Sequence, residues 1–174
     1  MALETTLHTK VALIGLGAMG KRMARRLLDA QVPLTITNRS KSPADELVAR
    51  GARWAESPAE AARGAQIVIS MVRDDEASEA IWLDPEAGAL LAMAPGSLAI
   101  ESSTLTPGWI AQLGERLHQA EVRFLDAPVL GSTPQAEAGQ LIYLVGGATE
   151  DLRAAEPTLA HLGGVVHHIG PQGT

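Results

Sequence analysis

The sequence predicts an α/β domain with a doubly wound, mostly parallel sheet and helices on both of its faces. Two observations predict this class: short apolar runs alternate with helical patterns along the chain, and several of the runs are unbroken and rich in β-branched residues. Unbroken runs are typical of strands that helices cover on both faces. A length of 174 residues is enough for one such domain with a sizeable core.

The predicted strands are short runs in which apolar or β-branched residues predominate. A helical pattern follows most of them, as expected when crossover helices join parallel strands. In chain order these strands are Val11–Ile14, Leu34–Thr37, Ala52–Trp54, Ile67–Met71, Leu98–Glu101, Arg123–Ala127, Leu141–Val145 and Val165–Ile169.

Helical patterns fill the segments between these strands. Met19, Met23 and Leu27 recur at helical spacing and predict one buried stripe. Ser57 is followed by a proline at the first helical position and by a glycine after the last turn, which is a usual start and stop pair. Thr149 is expected to cap the last helix. The predicted helices span residues 19–31, 41–51, 57–64, 106–120 and 149–164, and another begins at the acidic residues 74–76.

The composition excludes several classes of function. A formal net charge of -6 argues against nonspecific nucleic-acid binding, which depends on a basic surface. Because the chain has no cysteine, it has no disulfide, thiolate metal site or thiol nucleophile. His167 and His168 are adjacent on a predicted strand, so they point to opposite faces and are not expected to chelate one metal. With no cysteine and with these histidines apart, we expect no metal site. Segment 1–10 lacks the apolar stretch of a signal peptide, and no apolar run reaches membrane-spanning length, so we expect a cytoplasmic protein.

Three glycines follow the first predicted strand in the spacing G-x-G-x-x-G and open a helix, the context that makes this motif a dinucleotide-binding site of the Rossmann type. Gly15 is expected to end the strand in a tight turn, Gly17 to let the backbone approach a pyrophosphate, and Gly20 to let the helix pack close to the strand. The free N–H groups at the helix start then face the phosphates. The motif predicts a site at the switch point between the first and fourth strands, with cofactor contacts from Gly15, Leu16, Gly17, Ala18, Met19 and Gly20.

The end of the second predicted strand indicates which dinucleotide binds. An NAD site usually has an Asp or Glu about 20 residues past the glycines, where it binds the ribose hydroxyls. This chain has Asn38, Arg39 and Ser40 there instead. A 2′-phosphate is then not repelled, Arg39 offers it a planar cation, and the two neighbours offer neutral donors. The sequence therefore predicts NADP(H) as the cofactor.

Four motifs stand in order along the chain: "LIGLGAMGKRMARRL", "VISMVRDD", "ESSTLTP" and "FLDAPVLGSTPQAEAGQL". Together they resemble the β-hydroxyacid dehydrogenase family of the 3-hydroxyisobutyrate and 6-phosphogluconate dehydrogenases, nearest its glyoxylate and succinic semialdehyde reductase branch. The resemblance implies that Met71, Val72 and Arg73 pack on the adenosine, with Arg73 in place of the usual proline. It also implies that Ser103 and Thr104 contact the nicotinamide end of the cofactor.

The resemblance also implies a substrate loop. In the family a serine after D-A-P-V holds the substrate carboxylate, whereas Leu130 stands there in this chain, and Gly131 and Ser132 remain as the substrate contacts. The implied reaction interconverts a small 3-hydroxy or 2-hydroxy acid and its aldehyde or keto form by hydride transfer. The expected partner is this carbonyl or hydroxy-acid substrate, with no nucleic acid and no membrane.

The last residues, "HHIGPQGT", resemble the start of the family segment that leads to the catalytic lysine. The resemblance implies an NADP-binding domain over residues 1–169, with residues 170–174 starting a connection to an all-helical C-terminal domain. The general acid/base would lie beyond Thr174, so we expect no catalytic residue within the chain, no turnover by the chain alone and an exposed apolar surface where the second domain docks. With that domain present, a homo-oligomer is expected. Two alternatives stay open: the N-terminal domain of an imine reductase, and a noncatalytic NADP-binding module.

Overall fold

The structure is a computed structural model that describes residues 9–174. The predicted domain start at residue 1 and the expected lack of a signal peptide concern residues 1–8, which lie outside the described residues. From residue 9 onward, no helix is both long enough and apolar enough to cross a membrane.

Within residues 9–174, nine strands form one sheet. They are β1 (Val11–Ile14), β2 (Leu34–Thr37), β3 (Arg53–Trp54), β4 (Ile67–Ser70), β5 (Leu98–Glu101), β6 (Arg123–Asp126), β7 (Val129–Leu130), β8 (Leu141–Gly147) and β9 (Gly163–Gly170). Their order is β3-β2-β1-β4-β5-β6-β8-β7, and β9 pairs with β8. All pairs from β3 to β6 are parallel, whereas β8 runs antiparallel to β6 and β7. The predicted doubly wound α/β class is confirmed, with the switch point at β1 between β2 and β4.

Helices cover both faces of the parallel part of the sheet. They are α1 (Ala18–Asp29), α2 (Asp45–Ala49), α3 (Pro58–Ala62), α4 (Asp75–Leu83), α5 (Pro107–Gln119), α6 (Thr133–Ala138) and α7 (Thr149–Leu159), with 3₁₀ turns at Ser42–Ala44 and Ala89–Leu91. Every residue of β1 is buried. Its side chains alternate between the faces, so Leu13 belongs to the core layer that contains side chains of α1, α2 and α7, while Ala12 and Ile14 belong to the layer that contains side chains of α3, α4 and α5.

Several predicted element boundaries are wrong. The segment taken as a substrate loop contains β7 and α6, two elements too short to show a hydrophobic period of their own. Thr149 is the first helical residue of α7 and Ala148 is its cap, so no threonine side chain closes that helix start. The second helix begins at Asp45 after a 3₁₀ turn. The cap predicted at Ser57 is correct, because its Oγ accepts the N–H of Glu60 at 3.1 Å.

Ion pairs fix α1, the helix that starts at the glycine motif, against α2. Arg25 donates two hydrogen bonds to the carboxylate of Glu46, at 2.8 and 2.7 Å, and Lys21 Nζ lies 3.1 Å from the same carboxylate. The Arg25 hydrogen bonds, followed by the Lys21 contact, lower the pKa of Glu46 to about 2. The helix that would present its N-terminus to a phosphate is therefore held in place from the side.

Candidate functional site

A cleft opens at the carboxyl ends of β1 and β4, where ligands bind in doubly wound sheets. Its volume is about 690 Å³, within the range of small-molecule and cofactor sites. Most of the cofactor residues predicted from the sequence line it together: Gly15, Gly17, Ala18, Met19, Gly20, Asn38, Arg39, Ser40, Met71, Val72 and Arg73.

The three glycines of the motif differ in what requires them. Gly15 has φ of +98°, and a Cβ there would lie 2.3 Å from the carbonyl oxygen of Met71. A Cβ at Gly20 would lie 1.9 Å from the carbonyl oxygen of Gly15. The fold itself therefore requires glycine at both positions.

Gly17 is different, because nothing in the described chain requires a glycine there. Its φ of -69° suits any residue, and a Cβ would meet no atom within 4 Å. It nonetheless lines the cleft at the start of α1. The space that a side chain would fill is therefore available to a ligand, and the residues present fit the pyrophosphate of a dinucleotide.

The N-terminus of α1 supplies the electrostatics for such a group. Ala18, Met19 and Gly20 are the first helical residues and line the cleft, and the first N–H groups of a helix have no partner within it. No acidic residue stands in the first turn of α1. The positive end of the helix dipole thus faces the cleft without a competing carboxylate on the same turn, which favours an anion.

Asn38 is engaged within the chain. Its Oδ1 accepts the N–H of Leu16 at 3.0 Å, and its Nδ2 donates to the carbonyl oxygen of Ser40 at 3.0 Å. Leu16 is buried and does not line the cleft. These bonds tie the end of β2 to the glycine turn. Asn38, which the sequence analysis expects to donate to a 2′-phosphate, has its amide group bonded within the chain in this structure.

Cations and carboxylates both line the cleft. Arg39 is exposed after β2, and Arg73 is exposed after β4, where its Nε donates to Asp74 at 2.7 Å. Asp74 caps α4 by accepting the N–H of Ala77 at 2.9 Å. That bond, followed by the Arg73 contact, lowers the pKa of Asp74.

Sequence reasoning missed other lining residues. Most of them belong to the β3–α3 connection and to one side of α4 (Glu56, Pro58, Glu76, Ala77, Ala80 and Ile81), and the others are Ile14, Thr37 and Asp74. The signal for the first two was available, because β3 was predicted and the carboxyl ends of parallel strands meet at one edge of the sheet. The side that α4 turns to the cleft follows only from packing.

Two further predicted contacts lie outside the cleft lining. Ser103 is 1% exposed, and its Oγ accepts the N–H of Val72 at 2.8 Å. Thr104, next to it, is exposed. Ser103 therefore supports the cleft wall from behind, while Thr104 is the one of the pair with an accessible side chain.

The predicted substrate contacts stand at the start of α6, separate from the cleft lining. Gly131 has φ of +132°, which favours glycine. Ser132 is the N-cap of α6; its N–H and its hydroxyl donate to Oε1 of Gln135 at 2.9 and 2.6 Å. The hydroxyl of Ser132 is thus committed to local capping in this structure.

Beside these residues, three strands present an apolar surface. Leu130 pairs with Ile142, and Ile142 pairs with Val165, so the three side chains stand side by side across β7, β8 and β9. They are among the exposed large apolar side chains of the described chain. The sequence analysis expects an apolar docking surface, which stays a prediction, and these three side chains are where we place it.

The histidines of β9 occupy adjacent positions on that strand. His168 Nε2 lies 2.8 Å from the carbonyl oxygen of Gly147. Among residues 9–174, no group of three or more His, Cys, Asp or Glu side chains is placed to hold a metal ion.

The geometry agrees with what the chain matches among known proteins. Residues 10–170 match the family described as the NAD binding domain of 6-phosphogluconate dehydrogenase. The chain belongs to this family. The resemblance to β-hydroxyacid dehydrogenases that the motifs indicate is therefore confirmed, and the chain is an NAD(P)-binding domain of that type.

Relatives of this NAD(P)-binding domain are oxidoreductases. The chain is 40% identical over 164 residues to the NAD-dependent L-serine dehydrogenase of Pseudomonas aeruginosa, covering 94% of this chain and 55% of that protein. The 3-hydroxyisobutyrate dehydrogenase of Mycobacterium tuberculosis with L-serine superposes with a TM-score of 0.90 at 30% identity, over 96% of this chain and 56% of the other. Psf3 in complex with NADP+ and 2-OPP superposes equally well, at 0.90 and 30%, over 94% and 58%. The domain thus spans about half the length of the curated relatives it matches.

Proposed function

We propose that this domain binds NADP(H) for an oxidoreductase that interconverts a small 3-hydroxy or 2-hydroxy acid and its aldehyde or keto form. The observation that carries the proposal is the open position at Gly17, at the N-terminus of α1 and inside the cleft. The fold leaves that space free, and an anionic group is what the helix end there favours.

The preference for the 2′-phosphate rests on Arg39. No carboxylate stands at the end of β2, where an NAD site usually has one, and Arg39 is exposed at the cleft. The carboxylates of Glu56 and Glu76, which also line the cleft, oppose this preference. Among the relatives, one is named NAD-dependent and one structure is a complex with NADP+, so the end of β2 carries the argument for this chain.

Each wall of the cleft has a part in the proposed reaction. The N-terminus of α1 binds the pyrophosphate, Arg39 binds the 2′-phosphate, and Met71 with Val72 packs on the adenosine. When bound, the cofactor supplies or accepts the hydride. Gly131 orients the substrate through its backbone, and Ser132 contributes when its N–H and hydroxyl exchange their bonds to Gln135 for bonds to the substrate.

The proton must move through a group outside the cleft lining described above. Proton transfer needs a group of suitable pKa within hydrogen-bond reach of the substrate oxygen. The residues around Gly131 offer hydroxyl and amide groups but no lysine. We therefore propose that the 174-residue chain binds the cofactor without turning over substrate, and that it acts in the cytoplasm. We further propose that a helical domain covers Leu130, Ile142 and Val165. This domain would complete the substrate site and allow a homo-oligomer to form.

One observation favours a second candidate. The side chain of Leu130 is 53% exposed at the position where the family's serine holds the substrate carboxylate. An aliphatic side chain suits a less polar substrate, as an imine reductase would have. Reduction of a cyclic imine, with no reduction of an aldehyde acid by the same protein, would favour this candidate.

Titration calorimetry with NADPH and NADH tests the cofactor assignment. We expect NADPH to bind at least about tenfold tighter, because one charge-assisted contact contributes about 1.5–3 kcal/mol. Arg39→Ala should remove most of that difference, whereas Arg63→Ala should not, since Arg63 is an exposed arginine that does not line the cleft. Equal affinities for the two cofactors, or an unchanged preference in Arg39→Ala, would show that the 2′-phosphate is not recognised here.

A further inference from the structure

A buried carboxylate stands at the carboxyl end of β5, behind the wall of the cleft. Glu101 is 0% exposed. Its two oxygens accept hydrogen bonds from the hydroxyl of Ser70 at 2.9 and 3.1 Å, the hydroxyl of Ser78 at 2.7 Å, the Nε1 of Trp82 at 2.9 Å and the N–H of Ser103 at 3.0 Å. We call these five residues the Glu101 network.

The network consists of one carboxylate and neutral donors. The ion pairs of the described chain do not include Glu101. A charge removed from water without a counter-ion is costly unless hydrogen bonds replace its hydration. Each donor is therefore constrained in position, because moving one away leaves a buried oxygen poorly satisfied.

One branch of the network leads to the cleft. Glu101 fixes the backbone of Ser103, and Ser103 Oγ accepts the N–H of Val72 at 2.8 Å. Val72 lines the cleft beside Met71, and the N–H of Met71 is itself bonded to the carbonyl oxygen of Ile14 at 2.9 Å. The wall segment after β4 is thus held at two consecutive amides, one by β1 and one by the Glu101 network.

The other branch leads away from the cleft. Trp109 in α5 donates from Nε1 to the hydroxyl of Ser78 at 2.9 Å. It is buried against the core on the α3–α5 side of the sheet and does not line the cleft. Loss of its hydrogen bond disturbs the network without touching the wall segment, which provides a matched control.

We propose that Glu101 is a positioning residue for the cofactor cleft: through Ser103 it fixes Val72, and so sets the wall against which the adenosine packs. The proposal rests on the proposed function only for the identity of the ligand. The side chain of Glu101 reaches two donors in α4 as well as one in the loop after β5, so it ties that loop to the helix.

The test compares Glu101→Gln, Ser103→Ala and their double variant with Trp109→Phe. Calorimetry gives the dissociation constant for NADPH, thermal denaturation gives Tm, and amide hydrogen exchange reports on segment 71–73. Glu101→Gln places an amide N–H₂ against donors, and Ser103→Ala removes only the acceptor for Val72. We expect each to weaken NADPH binding about five- to tenfold and to speed exchange of the Val72 amide. The double variant should bind NADPH about as weakly as the weaker-binding of the two single variants, because both substitutions act through one route.

Trp109→Phe should lower Tm while leaving the dissociation constant within about twofold. The proposal is overturned if Glu101→Gln leaves both NADPH affinity and Val72 exchange unchanged, or if affinity follows Tm across all variants including Trp109→Phe. Where Glu101→Gln does not fold, Glu101→Asp, which keeps the charge and shortens the side chain by one methylene, is read by the same two criteria. If the unaltered chain binds no dinucleotide, the proposed function fails, and Val72 exchange in the variants still decides the role of Glu101.

Discussion

Substitution of Gly17 separates what the fold needs from what the ligand needs. In Gly17→Val the new side chain enters open space, at a backbone conformation that any residue adopts. A cost of about 1 kcal/mol is expected from placing Val at a helix N-cap, which lowers Tm by about 2–4 °C in a chain of this size. The same side chain occupies the space that the pyrophosphate needs. Loss of two charge-assisted hydrogen bonds costs about 3 kcal/mol, so affinity for NADPH should fall more than about 100-fold.

Gly20→Ala and Gly108→Val are the controls for this prediction. A Cβ at Gly20 would lie 1.9 Å from a backbone oxygen, so the backbone must shift, and about 3 kcal/mol or 6–12 °C of Tm should be lost. Gly108 lies in the first turn of α5, and a Cβ there meets no atom within 4 Å. Gly108→Val should therefore leave cofactor affinity unchanged. Circular dichroism and calorimetry measure both quantities. Tight NADPH binding by Gly17→Val, or unfolding of that variant to the extent seen for Gly20→Ala, would refute the reasoning.

Three further outcomes follow from the structure. The folded pKa of Glu46, about 2, lies below its ordinary value of 4.5. Its contacts with Arg25 therefore stabilise the fold above about pH 4.5, and this stabilisation is lost as the pH falls towards 2. Glu46→Gln should flatten the curve of Tm against pH in this range. An unchanged slope would show that the contact does not cause the loss of stability. Glu121 follows α5 with φ of 58°, a conformation that costs an L-residue about 1 kcal/mol. Glu121→Gly should therefore raise Tm by about 2–4 °C, and a lower Tm would contradict this. With NADPH and either glyoxylate or succinic semialdehyde, absorbance should show no steady turnover by the 174-residue chain, whereas rates of about 1 s⁻¹ or more would place the proton-transfer group within it.

Most of the cleft was predictable from the sequence because its determinants are local. The glycine motif, the strand before it and the helix after it are contiguous, and the turn after β2 follows a predicted strand at the spacing that the motif requires. These patterns depend on backbone conformation and hydrophobic period, both of which are visible in short segments. The residues that line the cleft from α4 and from the β3–α3 connection were not predictable in this way, because their position depends on how distant helices pack on the sheet.

By itself, the sequence determined the α/β class, the order of the main elements and the edge of the sheet where the cleft lies. Only the tertiary structure separated Gly17 from Gly15 and Gly20, since the three look alike as letters and differ in whether Met71 or Gly15 lies against them. It also showed that Asn38 and Ser103, for which cofactor contacts stay a prediction, hold the backbone around the cleft by hydrogen bonds. Glu101 gained donors from Ser70, Ser78 and Trp82, which lie 31, 23 and 19 residues away in sequence. The physical reason is that most of these contacts join segments far apart in the chain, and such a hydrogen bond or steric contact leaves no periodic trace in either segment.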